Sequence, residues 1–432
     1  MSRNRLLGVA ASATLLLALF VVLPGIGADE KEKVGKESLY RPLGLFTEVI
    51  SLVRGNYVEE VDTKALLSGA FSGMAEAMDP FAEYIPPDRM PAYTSYEAVR
   101  SKELPELGLV LARRMSYPVV VAPVAGSPAA AAGVRSDDLI EKIDGKAVRG
   151  LAFWEVESFL AGKPGGRVRL LVVREGKPRR HTIDIVRAGW SPASPSSSRS
   201  GSETIVKIPS FGPGTAAAVK TILAPLDRTR PLVLDLRENA WGSYDEAARA
   251  AALFVPAGPL GELKGRKIET KAFRAEPGER AHESRLVLLV DSGTAGPAEL
   301  FAAAVSESMN ASPGKNWKKM PKVDFEDEGE EIPDDSGPPP SWNGKQVRLV
   351  GEPTVGMGFV QETVKLQSGG SLKLSVGKIR TLAGRALSPK GLIPDDRVYH
   401  VPPDQTLPTT PADPFLDRAV KILSESRPKA AT

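Results

Sequence analysis

Residues 286–307 read LVLLVDSGTAGPAELFAAAVSE, and no other stretch restricts the possible folds so sharply. A β-branched, apolar run ends at Asp291. A turn of small residues follows (Ser292, Gly293, Thr294, Ala295, Gly296, Pro297), and then an Ala-rich helix opens. Strand, tight turn and helix N-terminus form the unit on which α/β enzymes mount a nucleophile. The turn exposes a side chain, and the free N–H groups of the helix favour negative charge. Here, however, the apex is glycine and proline, which carry no reactive atom.

Around that unit, strands alternate with helices. Residues 205–208 and 231–236 read as strands, the second a continuous buried run. Residues 215–226 and 245–254 read as helices, and residues 347–351 as another strand. The expectation is an α/β core with partly parallel strands. Residues 361–379 read as a hairpin turning at Ser368, Gly369 and Gly370, and a helix is expected over 414–423. Residues 38–98 are helical by pattern, with Leu43, Phe46, Val49, Ile50 and Val53 at helical spacing. Asp79 and Pro80 stop the helix, and Tyr84 to Pro87 read as a turn. Residues 102–188 read as a compact β-rich unit, with a hairpin turn at Asp144 and Gly145. Residues 189–203 are rich in Ser and Pro and read as a linker too polar to pack. Between 311 and 345 a lysine cluster, an acidic run and three prolines leave no apolar period, so a solvated, disordered insertion is expected.

Composition narrows the chemistry. The net charge of +3 is dispersed and gives no footprint for nucleic acid, and there is no cysteine for a disulfide, a thiolate or a zinc site. The three histidines, His181, His282 and His400, are scattered and read as surface or strand residues, which argues against a Ser-His-Asp triad or a His-based metal site. Gly356 and Gly358 are not a phosphate loop, because the P-loop lysine and its Ser/Thr are missing. No metal or cofactor is expected. At the N-terminus, Arg3 and Arg5 precede an uncharged apolar stretch over 6–28, which reads as a secretory signal or a signal anchor. Export to the periplasm, cell envelope or extracellular space follows, with the membrane as partner if the stretch is retained.

Several motifs then carry a resemblance. Asn56, Tyr57 and Val58, Gly69, Gly73 and Met74, and Met78, Asp79 and Pro80 are similar to the N-terminal helical segment of the C-terminal processing, or tail-specific, proteases. The string GSPAAAAGVRSDDLIEKIDGK resembles the PDZ domain inserted in that family, and Thr381, Gly384, Arg385, Gly391, Pro394 and Asp395 match its closing strand and loop. The similarity runs from about residue 40 to 424. It implies a mixed-sheet core of the ClpP/crotonase kind over 204–400 with flanking helices, a C-terminal tail with a helix over 401–432, an N-terminal helical segment and an inserted PDZ domain. It also implies that Leu107, Gly108 and Leu109 form the loop that captures a peptide C-terminus while the peptide adds as a strand.

The family is a serine/lysine-dyad peptidase family, and the resemblance places its parts residue by residue. Gly293, Ala295, Glu299 and Leu300 fit the nucleophile motif, but the nucleophile position is Gly296. Gly351, Glu352, Thr354, Gly356 and Gly358 fit the lysine motif, but the base position is Met357. Gln361 fits the orienting glutamine. The oxyanion turn, usually Asn-Pro-Gly-Gly, reads Asn239, Ala240, Trp241, Gly242, so Gly242 is the retained counterpart and Trp241 threatens to crowd the cleft. Glycine has no attacking atom, and a thioether takes no proton near neutral pH. Ser292 and Thr294 lie nearby but face elsewhere on a tight turn, and Lys345, Lys365 and Lys378 lack a local motif. The expectation is a pseudopeptidase that binds protein C-termini, acting as scaffold or regulator beside an active paralogue or through self-association. The alternatives are an active endopeptidase with a displaced nucleophile and an envelope assembly protein with a filled cleft.

Overall fold

The computed structural model describes residues 30–100, 104–174, 180–311, 345–399 and 413–425, which divide into two units at residue 71. The expected export segment, the expected insertion and His400 lie outside the described residues. Among the described residues no helix is long and apolar enough to cross a membrane.

The first unit holds α1 (Glu30–Asn56) and the start of α2 (Thr63–Met78). The helical spacing read from Leu43 to Val53 produces this pair, and Phe46 stacks on Phe71 with ring centroids 6.5 Å apart.

In the second unit, Asp79 ends α2 by accepting from the amides of Phe81 and Ala82. A short strand β1 (Glu83–Ile85) and helix α3 (Met90–Val99) follow. The expected turn at Tyr84 and Ile85 is thus corrected to a strand. Its residues alternate in burial, and it pairs antiparallel with residues 371–373, which satisfies its backbone.

The PDZ unit runs β2 (Leu109–Arg114), β3 (Tyr117–Pro123), α4 (Pro128–Ala131), β4 (Leu139–Ile143), β5 (Lys146–Ala147), α5 (Phe153–Leu160), β6 (Arg167–Val173) and β7 (His181–Val186). Its sheet order is β2-β3-β4-β6-β7, which leaves β2 at an edge. Asp144 (φ 49°) and Gly145 (φ 80°) make the expected hairpin turn. Trp154 of α5 packs on Ile85 and Tyr96, so the PDZ helix is held by the β1–α3 segment.

The core runs β8 (Ser196–Ser200), β9 (Glu203–Lys207), α6 (Thr215–Leu223), β10 (Leu232–Asp235), α7 (Tyr244–Ala252), β11 (Gly258–Gly265), β12 (Lys271–Ala275), β13 (Leu286–Val290), α8 (Pro297–Asn310), β14 (Val347–Gly351), β15 (Phe359–Lys365), β16 (Ser371–Thr381), β17 (Asp396–Arg397) and α9 (Pro414–Glu425). One sheet has the order β17-β14-β13-β10-β9-β8, and all its pairs are parallel except β8 with β9. Strand β13 is buried on both faces. Leu286, Leu288 and Val290 meet the cluster formed with α7 and α8, while Val287 and Leu289 meet Phe415, Ala419, Ile422 and Leu423 of α9. A second sheet joins β1, β16, β11 and β12, with the hairpin strand β15 on β16.

Three readings are corrected here. The Ser/Pro-rich linker contains β8, which pairs antiparallel with β9 along its length. Its serines are too polar to enter a core, but an edge strand needs only backbone pairing and one solvated side. Strands β11 and β12 have no counterpart in the sequence reading, because Gly258, Gly261 and Gly265 and scattered charges hide their alternation. His282 is not a surface or strand residue. It is 1% exposed, in a loop, beside Phe254. His181 does lie in β7.

Candidate functional site

The turn after β13 is held from below. The Asp291 carboxylate accepts from the amides of Glu238 and Gly293, each at 3.0 Å, and the Ala295 amide donates to the Asn239 carbonyl at 3.0 Å. Thr294 is fully buried, and its hydroxyl lies 3.0 Å from both the Leu236 carbonyl and the Asp291 carboxylate. It points into the protein. Ser292 points the other way and donates to Asp137 of the PDZ unit at 2.7 Å. Asp137 also accepts from Arg114 at 2.8 Å. The PDZ unit therefore sits against this turn, and a Cβ on Gly293 would come within 2.6 Å of the Ser136 hydroxyl.

Gly296 stands at the apex with φ 57° and ψ −113°, immediately before α8. That backbone is strained for an L side chain. A Cβ there would still have room, since the nearest atoms are the Tyr244 hydroxyl at 3.7 Å and the Met357 carbonyl oxygen at 3.8 Å. Position 296 thus lies beside the backbone of Met357. What occupies the junction is different.

Glu299, three residues into α8, is fully buried. Its Oε2 accepts from the amides of Gly296 at 2.8 Å and Met357 at 2.9 Å. Its Oε1 accepts from the Thr354 hydroxyl at 2.5 Å and the Gly356 amide at 2.6 Å. Burial pushes this carboxyl up, and the four donors oppose it. Because Thr354 accepts from Leu392 N–H and donates to Glu299, the donors favour the ionised form. The Tyr244 hydroxyl, held protonated by burial first and then by the Glu299 charge, donates to the Met357 carbonyl at 3.0 Å. Sequence reasoning placed Glu299 in the nucleophile motif without giving it this role, and it missed Tyr244 altogether. The Gly-x-x-Glu spacing of a capping box was a usable signal for Glu299. Tyr244 had none, because its partner is 113 residues away.

The remaining expected parts do not assemble into a catalytic set. Gln361 donates to the Phe81 carbonyl at 2.8 Å. Lys345 pairs with Asp395, and Lys365 and Lys378 are exposed. Gly242 (φ 136°) bridges to Phe211, and a Cβ on it would lie 2.2 Å from the Phe211 carbonyl oxygen, so only glycine fits. Trp241 does not fill the nucleophile position. Its ring presses on Gly212, where a Cβ would come within 2.7 Å.

In the PDZ unit, Leu107 (φ 56°) and Gly108 (φ 79°) shape a tight 3-10 turn before β2. The Gly108 amide donates to Pro105 at 2.9 Å, and the Leu109 amide to Glu106. A Cβ on Gly108 would lie 2.0 Å from that of Ser127 and 3.2 Å from Trp190. The outer edge of β2 beside this loop is the place where a peptide strand can add.

A parallel core sheet with a small-residue turn opening α8 and an inserted PDZ unit defines a protein of the PDZ-bearing peptidase class. The peptidase family S41 profile matches residues 204–312 and 343–398, and a PDZ domain profile matches residues 119–174. The carboxy-terminal processing protease CtpA of Bacillus subtilis is 27% identical over 84% of this chain and 70% of its own length. The carboxy-terminal-processing protease of Bartonella bacilliformis is 26% identical over 83% of this chain and 76% of its own length. The structure of the photosystem II D1 C-terminal processing protease shares the fold, with a TM-score of 0.59 at 23% identity, covering 88% of this chain and 96% of that one. The chain thus carries a peptidase family S41 core and a PDZ domain, and over most of its length it is similar to carboxy-terminal processing proteases.

Proposed function

We propose that this protein is a non-catalytic member of its family. It binds the C-termini of other proteins through the PDZ unit and acts as a scaffold or regulator, beside an active relative or by self-association. The observation that carries the reading is the junction at Gly296 and Met357. Neither side chain can attack a carbonyl or move a proton, while the turns that bear them remain clamped on Glu299. Losing the nucleophile of a serine peptidase lowers turnover on the order of a million-fold. Carboxylate capture further requires the turn at residues 106–108 to open, so that the amides of Gly108 and Leu109 face the ligand. We place this activity outside the cytoplasmic membrane, on the strength of the apolar stretch at residues 6–28.

One contact favours a second reading. The Ser292 hydroxyl bonded to Asp137 is an oxygen with a carboxylate base, the minimum for a displaced nucleophile. A serine-directed fluorophosphonate separates the two, read by intact mass beside an assay on unstructured C-terminal substrates. The first reading expects no adduct and no cleavage, with a preference of tenfold or more for free over amidated peptide C-termini. An adduct on Ser292, with cleavage abolished by Ser292→Ala, establishes the second.

A further inference from the structure

Where the family's oxyanion turn usually carries glycine, this chain has Trp241, and the indole lines a cleft of about 740 Å³. One wall is the core loop from Ser210 to Thr215. The other is the segment over residues 191–195, Ser-Pro-Ala-Ser-Pro. Gly296, Met357 and Gln361 are not among its lining residues.

Both walls are rigid. Phe211 N–H donates to the Trp241 carbonyl and Ser243 N–H to the Phe211 carbonyl, each at 2.9 Å, so the backbone on both sides of the indole is pinned. The ring itself rests on Gly212. The Thr215 hydroxyl donates to the Ser210 carbonyl at 3.2 Å and closes the loop. Opposite, Ala193 N–H donates to the Ala125 carbonyl at 2.8 Å, and the strap lies so close over Gly126 that a Cβ there would come within 2.6 Å of the Ser191 carbonyl oxygen. Such a cleft is pre-organised and loses little entropy on binding.

Its chemistry selects the occupant. Among the described residues, none of the lining side chains is ionisable, so a charged ligand would be desolvated without a partner. The apolar surface is Trp241 and the rings of Pro192, Pro195 and Pro213, while the hydroxyls of Ser191 and Ser194 and the indole N–H can donate. Flat aromatic and proline surfaces with donors at the rim suit a polyproline II strand. Such a strand has exposed carbonyls, no need for N–H partners and little conformational entropy to lose.

We propose that this cleft is a second peptide-binding site, which takes an uncharged, proline-rich extended segment of a partner protein and recognises no terminus. The site is independent of the PDZ edge and of whether the chain cuts peptide bonds.

The test is a titration of the full-length protein with a fluorescent, uncharged peptide of alternating Pro, Ala and Ser, acetylated and amidated so that no carboxylate is offered. Binding is read by anisotropy and by indole fluorescence. Saturable binding is expected in wild type. It should weaken at least tenfold in Trp241→Gly, which returns the turn to glycine, and equally in Ala218→Phe, which fills the cleft from α6. Trp241→Phe should retain it. Circular dichroism verifies that each variant is folded. No saturable binding in wild type, undiminished binding in either loss variant, or tighter binding of a neutral oligosaccharide than of the peptide each overturns the proposal.

Discussion

The amides of Gly296 and Met357 donate to the same oxygen, Oε2 of Glu299, at 2.8 and 2.9 Å. One carboxylate thus ties together the two turns that bear the positions of nucleophile and base. Its role is structural and does not require either reactive side chain. The clamp is therefore indifferent to the side chains at 296 and 357, because backbone amides make these hydrogen bonds.

Glu299→Gln should destabilise the chain by about 3 kcal/mol. An amide nitrogen would face either the pair Gly296 and Met357 or the pair Thr354 and Gly356, donor against donor, in a fully buried place. Denaturant unfolding measures the change. A midpoint equal to that of wild type would show that the clamp contributes nothing.

Tyr244→Phe removes the donor to the Met357 carbonyl and should lower stability by about 1 kcal/mol. Hydrogen exchange should rise over residues 354–358, since the hydroxyl holds that loop to α7. Equal exchange in the two proteins would argue that Glu299 alone holds the loop.

Gly296→Ser should fold, at a loss of about 1–2 kcal/mol for an L side chain at φ 57°. With Met357→Lys added, the protein should acquire a fluorophosphonate adduct at position 296, because space for a side chain exists there. Neither single variant should label at that position. A double variant that folds and stays unlabelled would locate the remaining obstacle elsewhere, and Trp241→Gly in the same background tests the oxyanion turn.

His282 sets a pH window. Burial, first, lowers its pKa from 6.5 to about 4 in the folded chain. The unfolded chain takes up the proton near pH 6.5 while the folded chain does not. Stability is therefore full above that pH and falls as the pH drops toward 4, by up to about 3 kcal/mol. His282→Gln should flatten this limb of a stability–pH curve. An unchanged slope between pH 6.5 and 4.5 would assign the limb to other groups.

Regular stretches were legible because burial imposes a period. Leu286 to Val290 read as a strand and Leu43 to Val53 as a helix, and both form. The small-residue turn between β13 and α8 was legible too, since it is a statement about residue type within a local motif. Ser196–Ser200 was not legible as a strand, because its place at the sheet edge depends on backbone pairing with β9 and not on its side chains. Strands β11 and β12 escaped for a related reason, their glycines erasing the alternation that the fold nevertheless uses.

By itself the sequence determined which atoms this protein lacks: an attacking oxygen at 296, an amine at 357 and any thiol. Composition is local, and no folding can supply a missing functional group. Only the tertiary structure decided what stands around those positions. It brought Glu299 beneath both turns, set the Tyr244 hydroxyl on the Met357 carbonyl, turned Thr294 inward and Ser292 toward the PDZ unit, and laid the indole of Trp241 along a neutral cleft. The contacts of Glu299 with Thr354, of Tyr244 with Met357 and of Ser292 with Asp137 join residues 55, 113 and 155 positions apart. Their partners are chosen by packing across the sheet, which a local pattern does not record.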